Sequence, residues 1–318
     1  MRMTTDFRFG IMLAPQATTW PAMVAAAERV DRLGYDHLWT WDHLYAILGD
    51  PQVPIFEGYA ILAGWAVATK RVGLGLLVGA NPFRNPGVVA KAIATLDHVS
   101  GGRAIAGLGA AWFDDEHRAH GLDFGASVGE RLAWLEESAS AIRALLDGQA
   151  VTSEPGAHYR FDGLAQWPPP IQRHVPIMIG GGGEKKTLRI VAKHADYWNV
   201  SGPPDELAHK REVLEAHCAD VGRDLSEIIR TSSIWCVIRN TTAAAKRAWA
   251  AQMANNGSDL MPHEGHRVFL GPPELVAERL LEHVGAGFET CIVEMAAPYD
   301  TETLDRLIGE VKPLVDRG

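Results

Sequence analysis

The stretch VGLGLLVGANPFRNPGVVAKAIATLDHVSGGRAIAGL, residues 72–108, decides the architecture. Val72–Val78 is almost wholly apolar and flanked by glycines, which suits a strand buried on both faces. A polar turn follows, and Pro86 stands where a helix starts and its missing N–H costs little. Val88, Val89, Ala92, Ile93 and Leu96 then recur at helical spacing, and Ser100-Gly101-Gly102 ends the helix. Arg103–Leu108 reads as the next strand. A strand, a helix and a strand in this order make a parallel pair with a crossover connection.

The same alternation extends in both directions. Upstream, strands are expected at Phe7–Leu13 and Tyr35–Trp41, with helices at Pro21–Leu33 and Glu57–Thr69. Downstream, Val175–Ile179, Asp196–Val200, Ile228–Ile238 and Thr290–Glu294 read as strands. The helical stretches there are Val128–Leu146, one from Glu184, Ala243–Ala254, Pro273–Val284 and Thr301–Val315. Eight strands alternating with helices predict a (β/α)8 barrel, a TIM barrel, formed as a single domain over residues 1–318. A doubly wound sheet would more often show fewer strands and a single early Gly-rich nucleotide loop. Insertions are expected after strands four and seven, at the Pro- and Gly-rich segment Asp147–His174 and at the aperiodic Asn255–Leu270.

Composition narrows the function. Thirty basic against 39 acidic residues give a net charge of −9, which disfavours a phosphate backbone as partner, so no nucleic acid is expected. With 47% hydrophobic and 22% charged residues the chain can bury a sizeable core. Met1–Asp6 holds no signal-peptide core, and the longest uncharged stretches, Gly58–Thr69 and Val72–Phe83, are too short to cross a bilayer, so no membrane association is expected. Cys218, Cys236 and Cys291 are far apart and odd in number, which fits a reducing cytoplasm and buried thiols better than a disulfide framework. The 13 histidines offer no recognisable metal spacing, so no metal site is expected.

In such a barrel the chemistry sits at the C-terminal ends of the strands. Asp36-His37 begins the second strand and Asp42-His43 ends it, about 20 Å apart at roughly 3.3 Å per residue, so only the second pair faces the catalytic mouth. An imidazole, with a reference pKa of about 6.5, is suited to handling a proton there. Gly180-Gly181-Gly182-Gly183-Glu184-Lys185-Lys186-Thr187 follows the fifth strand and opens a helix, where free N–H groups favour an anion such as phosphate. It lacks the ending of a Walker loop. Gly107-Leu108-Gly109 closes the fourth strand with room for a flat ring. Asn81 and Arg84 follow the third strand and are expected beside any ligand. Trp198 and Asn199 end the sixth.

These motifs together resemble the luciferase-like flavin and deazaflavin oxidoreductases, particularly the branch that uses coenzyme F420. The matching stretches are residues 34–43, 81–86, 95–103, 107–113, 176–181 and 195–199. The resemblance implies a flavin-type ring at the barrel mouth, with Asp42 and His43 beside it as catalytic residues and a non-prolyl cis peptide at Leu77-Val78 behind it. It further implies a phosphate near the loop after the fifth strand. Asn81, Gly109, Gly180 to Lys185, Thr187 and Trp198 complete the implied cofactor site. A small organic substrate, hydride transfer and a homodimer are likewise implied. FMN is the alternative cofactor; it would make the protein a monooxygenase fed by a separate flavin reductase. A barrel that binds flavin without catalysis is the reading from another class. Trp112 stands where some deazaflavin dehydrogenases carry an acid, so their sugar-phosphate substrate does not transfer.

Overall fold

A computed structural model describes residues 7–258 and 267–318. Its strands are β1 (Arg8–Leu13), β2 (His37–Thr40), β3 (Gly73–Leu76), β4 (Gly79–Ala80), β5 (Ala104–Gly109), β6 (Ile177–Gly180), β7 (Tyr197–Val200), β8 (Ile229–Ile238), β9 (Val268–Gly271) and β10 (Thr290–Met295). All pair in parallel, and the order β10-β1-β2-β3-β5-β6-β7-β8 closes through β8 onto β10. This is the closed eight-stranded barrel expected from the sequence.

The third strand is not continuous, as Val72–Val78 had suggested. It breaks at the cis peptide Leu77-Val78, and β4 resumes alongside Leu108 and Gly109 of β5. Here β5 comes very close: a Cβ on Gly107 would lie 1.8 Å from the Leu76 carbonyl oxygen, so only glycine fits.

Side-chain alternation sorts the apolar residues into two cores. Outward-facing Ile11, Leu38 and Val293 pack beneath helices with Trp65 and Leu135. Inward-facing Met12, Trp39, Ile105, Met178, Tyr197 and Ile292 plug the barrel below the mouth. The covering helices are α1 (Trp20–Leu33), α2 (Gly58–Ala68), α3 (Pro86–Ser100), α4 (Asp114–His120), α5 (Val128–Leu146), α6 (Thr187–His194), α7 (Pro204–Val221), α8 (Thr242–Asn255), α9 (Pro273–Gly285) and α10 (Thr301–Arg306). Helix α7 buries only Leu207, Leu214 and Cys218, too sparse a stripe to register as a period.

The insertions differ in detail from expectation. The element added directly after the fourth barrel strand is α4, while the Pro- and Gly-rich segment starts only after α5 and folds through an antiparallel bridge, Val151 with Leu164. Of the second, residues 259–266 lie outside the described residues, as do Met1–Asp6. Its end forms β9, which pairs with the outer half of β8 from Trp235 to Ile238. Among the described residues no helix is long and apolar enough to cross a membrane. No group of three or more His, Cys, Asp or Glu could hold a metal there. The three cysteines are buried and free.

Candidate active site

The C-terminal ends of the strands open into a cavity of about 1000 Å³. One half is built from backbone and small residues: Leu77, Val78 and Gly79 of the kinked third strand, Gly109 of β5, Gly180 of β6, then Gly181, Gly183 and Thr187. Val78 fits closely against its neighbours, since a Cβ on Gly109 or Gly180 would lie 2.5 or 2.9 Å from its Cγ2. The result is an apolar shelf of Leu77 and Val78 with bare glycine backbone around it, which leaves room for a planar ring. Gly181, at φ +125, occupies a backbone conformation that side-chain-bearing residues rarely adopt.

His43 lines the cavity next to this shelf. Its Nδ1 lies 2.9 Å from Oε1 of Glu116, whose side chain is only 1% exposed. The other oxygen of Glu116 accepts the backbone N–H of Leu44 at 2.8 Å and of Tyr45 at 3.3 Å. A carboxylate so engaged has only acceptors to offer, so the hydrogen-bond network assigns the proton to Nδ1 and leaves Nε2 as the ring's acceptor. Trp41, Trp112 and Phe113 enclose the imidazole edge to face, at 5.4 to 6.3 Å between ring centres. Glu116 was absent from the sequence reading. The charge pattern of α4 was its available signal: Asp114, Asp115 and Glu116 in the first turn, His117, Arg118 and His120 in the last, and left-handed Gly121 as the cap.

Asp42 also lines the cavity, but it does not orient the imidazole. Its carboxylate takes two bonds from Arg84, at 2.7 and 3.0 Å, and the Ala80 N–H at 2.9 Å. Arg84 in turn reaches Glu57 at 2.6 Å. Burial pushes the Asp42 carboxyl up, against the pull of the Arg84 guanidinium. The pair braces the strand-two and strand-three loops against each other, so Arg84 serves the frame and not a ligand.

Other expected residues fall outside the cavity. Asn81 is buried, and its Nδ2 donates to the Tyr159 hydroxyl at 3.0 Å. Trp198 is fully buried in the outer core, where its Nε1 supports the glycine loop from behind by donating to the Gly181 carbonyl at 2.9 Å. Asn199, next along β7, lines the cavity in its place, as side-chain alternation requires. Gly182 is held by Lys210, whose Nζ donates to its carbonyl at 2.9 Å. Glu184 lies 3.3 Å from His209, and Lys185 is exposed. Neither lines the cavity.

His37, the competing histidine, is buried at the opposite end beside Trp39 and Tyr197. Burial pushes its imidazole down to about 4. The two Asp-His pairs thus have opposite fates, as their places along β2 imply.

A parallel barrel whose mouth joins a flat apolar shelf to a fixed imidazole defines a class of small-molecule enzyme scaffold. The chain belongs to the luciferase-like monooxygenase family, whose profile matches residues 2–290. An uncharacterized protein of Mycobacterium tuberculosis is 30% identical over 182 residues, which span 55% of this chain and 63% of that protein, less than two thirds of its length. A 5,10-methylenetetrahydromethanopterin reductase of Methanolobus tindarius is 30% identical over 280 residues, 85% of this chain and 74% of that one. Two solved structures share the fold. An F420-dependent secondary alcohol dehydrogenase has a TM-score of 0.84 at 19% identity, covering 97% of this chain and 99% of its own. The oxygenating constituent of a Baeyer-Villiger monooxygenase from Pseudomonas putida, solved with FMN, has a TM-score of 0.73 at 18% identity, covering 96% and 98%. The family comprises oxidoreductases and monooxygenases, and its structural neighbours use F420 or FMN.

Proposed function

We propose that the protein is a coenzyme F420-dependent oxidoreductase that moves a hydride between the deazaflavin and a small organic substrate. The observation that carries this reading is His43, its Nδ1 fixed by a buried carboxylate and its ring lining the same cavity as Leu77 and Val78. A bound deazaflavin supplies hydride chemistry with little reactivity toward oxygen. The residues fit such a group: the shelf takes a flat ring, and Gly181, Gly183 and Thr187 at the start of α6 suit a phosphate.

Each side chain then has a task of its own. Nε2 of His43 accepts the proton of a substrate hydroxyl during oxidation, or returns it to the oxygen during reduction. Glu116 holds the ring and stabilises its protonated form. Asp42 and Arg84 keep the two mouth loops in register, and Trp41 and Trp112 screen the imidazole from water. The exposed apolar positions Val67, Val88 and Val99 on α2 and α3 support the homodimer as a second element of the proposal.

Titration of the purified protein with F420 and, separately, with FMN tests the cofactor. A tenfold preference corresponds to about 1.4 kcal/mol. Preference for F420 is expected. Preference for FMN would turn the reading to a monooxygenase served by a separate reductase.

A further inference from the structure

The remaining lining of the cavity has a different chemistry. Trp41, Trp235 and Trp249 form a continuous aromatic wall, with ring centres 6.4 and 5.6 Å apart, and Met253 and Val268 extend it. Polar atoms are few there. Among the described residues three carboxylates line the cavity, and two of them are saturated: Asp42 by Arg84 and Ala80, Glu116 by His43, Leu44 and Tyr45. The third is Glu294, near the end of β10, level with Met12 of β1 and Trp235 of β8. Its side chain is 13% exposed, and the nearest Arg267 nitrogen lies 3.7 Å away, longer than a hydrogen bond. Ser233, part of the Asn199 network, is its hydrogen-bond partner among the described residues.

We propose that Glu294 is the specificity-determining residue of this cavity, and that its carboxyl group holds the oxygen of an uncharged, largely apolar carbonyl or alcohol packed against the three tryptophans. The inference rests on the proposed function only in giving the glycine half to the cofactor. An aromatic wall with few interior polar groups recognises a ligand by shape and by a small number of hydrogen bonds. A cationic ligand would meet Arg267 beside the carboxyl. An anionic one would have to displace Glu294 from that same arginine. Burial pushes the Glu294 carboxyl up, toward the neutral form that can donate to a carbonyl oxygen, while Arg267 pulls the other way. Ionised, the carboxylate accepts from an alcohol; protonated, it donates to a carbonyl oxygen. A site that pairs a buried polar group with a ligand oxygen discriminates strongly against ligands that leave that group unpaired.

Three probes of one shape and three charges test this: acetophenone, benzoate and benzylammonium. Their dissociation constants are measured by calorimetry on the cofactor-loaded and on the unloaded protein. Acetophenone is expected to bind at least tenfold tighter than either ion. Glu294→Gln, which keeps a donor and an acceptor, should retain acetophenone within about threefold, and Glu294→Leu should weaken it about tenfold, with cofactor affinity unchanged in both. Should the leucine variant fail to fold, Trp235→Leu supplies the second reading and should weaken acetophenone at least as much. Tighter binding of benzoate would move recognition to Arg267 and overturn the proposal. So would wild-type affinity for acetophenone in Glu294→Leu, or binding of none of the three. Failure of both F420 and FMN to bind strikes the cofactor reading instead, and the probe ranking on unloaded protein still decides the role of Glu294.

Discussion

Replacing Glu116 by Gln isolates the group that fixes the His43 tautomer. Glutamine preserves the shape and leaves one oxygen to accept from the Leu44 and Tyr45 N–H groups, at 2.8 and 3.3 Å in the native chain. Its amide nitrogen then faces His43 Nδ1, now 2.9 Å from a carboxylate oxygen, as a second donor. The imidazole can keep a hydrogen bond there only by shifting its proton to Nε2, which removes the acceptor the cavity needs. Hydrogen bonds to charged groups contribute about 1.5–3 kcal/mol, so turnover is expected to fall roughly 10- to 100-fold. A nitrogen-15 spectrum of the histidine side chains reports the tautomer without needing a substrate; the His43 signal among the 13 is identified by its loss in His43→Ala. Native protein should show the proton on Nδ1 and Glu116→Gln on Nε2. The same tautomer in both proteins, or native turnover in a folded Glu116→Gln, would refute the assignment.

Further outcomes follow from the geometry. His43→Ala should lower turnover by roughly 10²–10⁴-fold with little loss of cofactor affinity, checked by steady-state rates and cofactor titration on the same preparation. His37 carries a pH dependence: its folded value of about 4 lies below the unfolded value of about 6.5, so its contribution to stability is complete above about 6.5 and is lost as pH falls toward 4. Denaturant unfolding between those limits should therefore show a slope shallower by up to about 1.4 kcal/mol per pH unit in His37→Asn than in the native chain. Asp42→Asn leaves Arg84 with Glu57 as its remaining carboxylate and should cost about 3 kcal/mol, seen as a thermal midpoint roughly 4–5 °C lower. Thr187→Val keeps the helix but removes a hydroxyl at the proposed phosphate position, and should raise the cofactor Kd about tenfold with the thermal midpoint unchanged.

The barrel was legible because each strand and helix announces itself locally. Apolar runs such as 72–78 and 104–108, the stripe of Val89 and Ile93, and the stop at Gly101 are properties of neighbouring residues. The placing of His43 over His37 was legible for the same reason, since position along one strand decides which end of a barrel a side chain faces. Parity along β7 would also have ranked Asn199 above Trp198 for the cavity, because successive strand side chains take opposite faces. Contacts between distant segments had no such signature. Glu116 meets a histidine 73 positions away, and Arg84 turns to Asp42 across 42. Only the closing of the barrel brings β8 onto β10 and β10 onto β1, and with that closure Glu294 becomes an acid within an aromatic cavity. Local propensity and periodicity set the elements, whereas partner choice among charged and aromatic side chains is settled by where loops of different strands converge.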